Sequence, residues 1–317
     1  MKRGETSTKC AGIDVGKQRL EVAVHGEPAR LDVDNRAEAF AGLTTWLEGQ
    51  GVGRVGLEAS GGYERGVRRA LEAAGFEVVL HQPLEVRLFA RLRRRKAKND
   101  RLDAALIAAA TAQVDTVRAA ADPRLQELAE WMTAYEQVSN QLASFKAFME
   151  HAGPEELRRR LTQEIASLTR LKAELLDEIR RRIVPHADLE ERYRLLLSLP
   201  GIGPVGAMSL LIRMPELGSM RRGQAAALLG VAPFDRDSGQ YKGHRFIAGG
   251  RARPRRMLYL AAITARRWDP SFKALSDRML ARGKPAKVTI VAIMRHLIEA
   301  ANLVLARATP WSVRTPA

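Results

Sequence analysis

An α/β domain followed by an all-α remainder is the fold class that the sequence predicts. Three observations predict it. Short apolar strands alternate with amphipathic helices through residue 115. A heptad-spaced apolar seam fills the middle of the chain. The final third carries long apolar helical stripes separated by glycine-bearing loops. A chain of 317 residues is long enough for two domains, or two plus a connector. We expect an α/β domain over 1–118, a coiled-coil helical hairpin over 119–190 and a mainly helical domain over 191–317.

Cys10–Val15 is a short apolar strand, and Leu20–Val24 alternates apolar and polar residues. Ala29–Val33 follows the turn residues Gly26 and Pro28, which gives three antiparallel strands. Asn35 is placed to cap a helix over Arg36–Gly49, with Phe40, Leu43 and Leu47 on one face. Arg54–Glu58 reads as a buried strand, Tyr63–Ala74 as a helix, Phe76–His81 as a strand and Asp100–Val114 as an alanine-rich helix. The order implies a mixed sheet with helices on its faces.

In the middle segment Leu128, Trp131, Tyr135, Val138, Leu142, Phe145 and Met149 recur alternately three and four apart, a heptad seam. Gly153-Pro154 interrupts it, and Leu157, Leu161, Ile165, Leu168, Leu175 and Ile179 form a second stripe. The pair predicts an antiparallel hairpin, used either as an oligomerisation arm or inside one globule. Farther on, Pro254–Trp268 and Ala286–Arg307 read as helices with buried faces, and 230–250 as a loop or hairpin.

Charge narrows the partner. The formal net charge is +16, and it is unevenly spread: +3 over 1–115, −1 over 116–194 and +14 over 195–317. A smaller basic cluster holds Arg91, Arg93, Arg94, Arg95, Lys96 and Lys98. Such patches neutralise phosphates and release counterions, so a nucleic-acid partner is expected. A single cysteine excludes a disulfide framework and a cysteine-based zinc site. With no signal peptide and no apolar run of membrane-spanning length, a cytoplasmic protein associated with the nucleoid is expected, with no membrane partner.

Four carboxylates stand out. Asp14 follows Gly12-Ile13 on the first strand, Glu58 ends an apolar strand before Ala59-Ser60-Gly61-Gly62-Tyr63, and Asp100 and Asp103 are spaced i,i+3. A carboxylate on an apolar strand is costly unless paired or bound to a cation. The i,i+3 pair shares one helix face. Oxygen ligands with no His or Cys nearby suit Mg²⁺ or Mn²⁺, and two such ions can clamp the attacking and leaving oxygens of a phosphodiester. Each acid also has an ordinary use, as a turn cap, a helix-start acid or an N-cap.

Gly12-Ile13-Asp14-Val15, Glu58-Ala59-Ser60-Gly61-Gly62-Tyr63 and Asn99-Asp100-Arg101-Leu102-Asp103-Ala104 resemble the N-terminal motifs of the DEDD-type insertion-sequence transposases, described as bridge-RNA-guided serine recombinases. Pro200-Gly201-Ile202-Gly203-Pro204 and Ser238-Gly239 resemble that family's C-terminal domain. Any one motif is weakly specific; their order and spacing over nearly the whole chain are not. The resemblance implies an RNase H-like N-terminal domain similar to the junction resolvase RuvC. It implies that Asp14, Glu58, Asp100 and Asp103 hold Mg²⁺ or Mn²⁺, in a pair of ions. It also implies donor and target DNA as substrates, a noncoding bridge RNA that guides target choice, and homodimers that pair into a homotetramer.

Asp237-Ser238-Gly239 is by itself an ordinary turn sequence, close to Arg236, Lys242, His244 and Arg245. The resemblance implies that Ser238 is the nucleophile that becomes joined to DNA. The four basic residues beside it suit contact with the phosphate, and His244 could instead serve as a general acid or base. Gly201 and Gly203 resemble a helix-hairpin-helix turn that lets backbone approach a phosphate. Arg251, Arg253, Arg255 and Arg256 form a further candidate phosphate contact. No aromatic residue interleaves with those arginines, so no stacking platform for a single strand is expected. Two other readings stay open: a metal-dependent junction-resolving nuclease that uses water, and a non-catalytic nucleic-acid scaffold.

Overall fold

The computed structural model describes residues 8–93, 100–115, 122–234 and 246–312. The chain divides into two compact units, Met1–Ala121 and Asp122–Ala317. Arg94, Arg95, Lys96 and Lys98, and Arg236, Ser238, Lys242, His244 and Arg245, lie outside the described residues.

The first unit is built on five strands: β1 (Cys10–Val15), β2 (Arg19–Val24), β3 (Arg30–Asp34), β4 (Arg54–Glu58) and β5 (Glu77–His81). Their order across the sheet is β3-β2-β1-β4-β5. β1, β2 and β3 form an antiparallel meander, and β4 and β5 join in parallel. This is the mixed sheet that the order of strands and helices in the sequence predicts.

Side chains alternate across a strand, so each face has its own partner. Ala11, Ile13 and Val15 of β1 and Val55 and Leu57 of β4 share a core with Leu43 and Leu47 of helix α1 (Ala37–Gly49) and with Val67 and Leu71 of helix α2 (Arg65–Ala73). The opposite face, which carries Gly12, Asp14, Gly56 and Glu58, receives helix α4 (Asp100–Thr111). Helix α3 (Pro83–Leu92) places buried Val86 against Leu106 and Ile107 of α4.

One local expectation is corrected, and one helix is added. Asn35 does not cap α1, whose N-cap is Arg36; its side chain is spent on other loops instead. Helix α3 was hidden inside the arginine-rich stretch, yet Gln82-Pro83-Leu84-Glu85 carries a start signal. Gln82 and Glu85 form a capping box, with Pro83 in the first turn.

The second unit begins with the hairpin of α5 (Pro123–Met149) and α6 (Glu155–Ile183). Asp122 caps α5 by accepting from Arg124 N at 2.9 Å. Leu128, Tyr135, Val138 and Leu142 are buried as the heptad spacing predicts. At the second seam position Met132 is fully buried in place of Trp131, whose ring lies under the Arg182 guanidinium at 4.2 Å. The chain continues through α7 (Ala187–Leu197), α8 (Pro204–Arg213), α9 (Gln224–Leu229), β6 (Pro233–Phe234), β7 (Phe246–Ile247), α10 (Ala252–Trp268), α11 (Pro270–Ala281) and α12 (Ala286–Arg307). One apolar core joins the hairpin to these helices. Although α12 is long and apolar enough to cross a membrane, Ile290, Ile293, Leu297, Ile298 and Val304 pack it into that core.

Candidate active site

The acidic face of the first unit is set by two glycines. A Cβ on Gly12 would overlap Ala104 O and Ala108 N and stand 2.8 Å from Ile107 C. A Cβ on Gly56 would overlap Thr111 Oγ1 and stand 3.1 Å from Ile107 Cγ2. Only residues without a side chain let the α4 backbone this close to β1 and β4. Gly12 and Gly56 are register partners, and the acids stand two residues further on: Asp14 on β1 and Glu58 on β4. Two residues is one strand repeat, so both acids share the α4 face.

The direction of α4 follows from its contacts. Its start, at Ala104, meets β1, while beyond its end Val114 O accepts from Arg54 Nη1 at 2.6 Å, at the beginning of β4. The helix therefore descends the sheet, and its first turn, with Asp100 and Asp103, lies toward the strand ends that carry Asp14 and Glu58. The fold thus brings the four sequence positions to one edge of one face. Among the described residues, no three His, Cys, Asp or Glu side chains are grouped closely enough to hold an ion. The Asp100 side chain is not among those described. The donor set itself is all oxygen, which fits a hard divalent cation.

Three polar residues that the sequence did not point to as part of the site fasten this edge. Asn35 Nδ2 donates to Gly16 O at 2.8 Å and to Tyr63 O at 3.1 Å. It thereby ties the turn after Asp14 to the loop after Glu58. Glu64 is nearly buried and folds back onto that loop, accepting from Ser60 Oγ at 2.8 Å, Gly62 N at 2.9 Å and Ser60 N at 3.1 Å. Burial alone would raise its pKa, but these bonds and one from its own backbone N–H hold the carboxyl below the usual range.

His81, the register partner of Glu58, is buried with Nε2 2.9 Å from Thr111 Oγ1. The Thr111 hydroxyl donates to Ile107 O at 2.7 Å, so Nε2 is the donor to Thr111. Burial pushes the imidazole below its ordinary pKa, against a smaller opposing pull from the Glu85 carboxylate. In sequence His81 looks like one of several scattered histidines. Its hydrogen bond spans thirty positions, and no local signal marks it.

In the second unit the basic candidates differ in what they touch. Arg251 pairs with Glu216 at 2.5 Å and donates to Arg213 O at 2.7 Å, and Arg253 reaches Glu136 at 2.9 Å. Arg255 donates to the carbonyls of Gly249 and Gly230. Arg256 is exposed, as are Arg91 and Arg93 in the first unit. Gly201, at φ +76°, is used in packing: a Cβ there would overlap Ala261 O and approach Ala265 N to 2.7 Å. Gly203 is exposed at the N-cap of α8.

A groove of about 2060 Å³ lies wholly within this unit, walled by β6, β7, α10, α11 and α12. Tyr259 lines it one helical turn beyond Arg255 and Arg256. No aromatic interleaves with Arg251–Arg256 in sequence, yet Tyr259 stands beside two of them on the helix. Neighbours on a helix are three and four apart, not adjacent in sequence.

Residues 11–154 match a family model described as a transposase, of the DEDD IS110 type, and residues 193–277 match one described as Transposase IS116/IS110/IS902 family. The pilin gene-inverting protein of Moraxella bovis is 25% identical over 96% of this chain and 97% of its own length. The insertion element IS110 uncharacterized 43.6 kDa protein of Streptomyces coelicolor is 29% identical over 38% of this chain and 31% of its own length. Among solved structures, RuvC of Thermus thermophilus aligns at 18% identity with a TM-score of 0.26, over 35% of this chain and 99% of its own.

Proposed function

The chain belongs to the IS110 family of transposases, and from that premise we propose that it cuts and rejoins DNA through a covalent phosphoserine intermediate, with target choice guided by a noncoding bridge RNA. The observation that carries the reading is the seating of α4 on Gly12 and Gly56, with Asp14 and Glu58 one strand repeat further along the same face.

Asp14, Glu58, Asp100 and Asp103 would hold divalent Mg²⁺ or Mn²⁺, in a pair of ions. When bound, such ions supply positive charge to the phosphate oxygens on which negative charge develops. Ser238 Oγ loses its proton and forms an ester bond to the scissile phosphorus. The bond from phosphorus to the departing sugar oxygen breaks, and that oxygen takes up a proton. A hydroxyl of the second strand then attacks the same phosphorus, and the serine leaves with a proton. One phosphoester is exchanged for another at each step, so no external energy source is required. Arg236, Lys242, His244 and Arg245 would hold the phosphate, while Asn35 and Glu64 keep the loops beside the acids in place. The joining of two duplexes calls for several subunits, and homodimers pairing into a homotetramer fit that need.

The test is to incubate the protein with donor DNA, target DNA, the element's noncoding RNA and Mg²⁺. A DNA–protein adduct that disappears in Ser238→Ala supports the reading. An adduct that persists, or hydrolysed ends that are never rejoined by the parent protein, refutes it in favour of a nuclease that uses water.

A further inference from the structure

The groove of the second unit combines two kinds of surface. Its lining includes seven Lys and Arg residues and one carboxylate, Glu299, which is occupied in accepting from Gly223 N and Ala226 N. Six of the cations stand on three helices, among them Arg256 on α10, Arg278 on α11 and Arg295 on α12, and the seventh, Arg222, lies in the turn before α9. Between them lie apolar and aromatic surfaces that are open to solvent: Tyr259, Val288 and Leu303, with Phe246 and Ile247 on the wall made by β7.

A DNA duplex offers phosphates outward and keeps its base faces stacked inside, so it has nothing to bury against the apolar part. An unpaired strand offers both: phosphates to the cations and base faces to the aromatic rings. The volume, about 2060 Å³, exceeds the roughly 300–1,000 Å³ of a small-molecule pocket and suits a polymer segment. β6 and β7, which contribute Pro233 and Phe246, are also the strands that the Ser238 segment leaves and rejoins in sequence.

We propose that this groove binds single-stranded DNA, stacking a base on Tyr259 and holding the adjoining phosphates with Arg256, Arg278 and Arg295. The inference rests on the DNA-joining reading for its choice of DNA as occupant: a strand parted from its partner next to Ser238 needs a place to lie. Its recognition chemistry, base faces plus phosphates, is independent of the serine.

The test measures binding by the full-length Ser238→Ala chain in EDTA, so that no strand transfer occurs. The probes are an oligothymidylate of about 20 nucleotides, a strand of equal length made of abasic sites, the corresponding duplex and oligouridylate. We expect the oligothymidylate to bind tenfold or more tightly than the abasic strand, about what one stacked base supplies, and no more weakly than oligouridylate. Tyr259→Leu should remove that advantage while affinity for the abasic strand and the duplex stays unchanged, and Tyr259→Phe should restore it. Tyr259 is partly exposed, so folding is not at stake, and a circular dichroism spectrum checks this.

Equal binding of the thymidylate and abasic strands overturns the proposal, as does a Tyr259→Leu chain with full affinity. Binding of oligouridylate alone assigns the groove to RNA and also overturns it, and binding of none of the probes leaves the groove to an acidic protein partner. Failure of the adduct assay with Ser238, beside intact Tyr259-dependent binding, sinks the serine chemistry and spares this site. The reverse pair of results does the opposite.

Discussion

Gly12 in the first unit and Gly201 in the second solve the same steric problem with different consequences. Each stands where an added Cβ would strike the backbone of a helix, α4 in one case and α10 in the other. On β1 the next residue on the same face is Asp14, so the close approach stands beside a carboxylate of the proposed site. After Gly201 comes buried Ile202, so the close approach only fixes packing. The second unit carries its charge elsewhere, on residues such as Arg256 that are spaced along exposed helix faces. A tight backbone contact becomes a candidate site only where the strand or helix period brings a polar side chain into the same clearance.

The largest effect expected from this contrast belongs to Asp14. Asp14→Asn should lower strand cleavage on the order of 10²–10³-fold, the scale of losing one group that stabilises developing charge. DNA affinity measured by filter binding should stay unchanged. A variant with full cleavage would break the contrast, because the α4 face would then be mere packing.

Next come the glycines themselves. Gly12→Ala and Gly201→Ala should each cost about 3 kcal/mol, the upper range for forcing extra atoms into a packed contact, with Gly201 also strained by its positive φ. Hydrogen exchange resolved by mass spectrometry should show lost protection in β1 and α4 for the first, and in α8 and α10 for the second. Only Gly12→Ala should also lower cleavage beyond the loss of folded protein.

Glu64→Ala should cost about 1 kcal/mol or slightly more, since it leaves the half-buried donors of Ser60 and Gly62 without their acceptor. Asn35→Ala should cost about 1 kcal/mol of stability, read by chemical denaturation. If the tie it makes between the two loops serves the acids, its cleavage rate should fall while DNA affinity holds.

The smallest effect concerns pH. Folding keeps His81 neutral below its ordinary pKa of about 6.5, so between those two values the unfolded chain binds the extra proton. Stability should therefore decline as pH falls through about 6.5 and level off below the folded-state pKa. His81→Gln retains an N–H donor and does not titrate, and its denaturation midpoint should follow pH less steeply over that window.

Much of this was legible along the chain. Apolar alternation gave β1 to β5 nearly to the residue, and the heptad spacing gave α5 and α6. Both patterns are local, because a strand or helix face repeats every two or every three to four residues. Asp14 and Glu58 stood out because a carboxylate inside an apolar strand contradicts its surroundings. Helix α3 was missed because it is short and runs directly into the basic cluster that follows it, and Trp131 was misplaced because its ring is satisfied under a guanidinium at the edge of the core.

The sequence by itself determined the strands, the helices, the acids and the basic final third, since each is written in neighbouring residues. Only the tertiary structure decided that Gly12 and Gly56 admit α4, that Asn35 joins two loops, that His81 meets Thr111 and that Tyr259 shares a groove with Arg278 and Arg295. The reason is physical. Steric clearance, buried hydrogen bonds and the walls of a groove belong to pairs of segments far apart in the chain, and such pairs exist only after packing has brought them together.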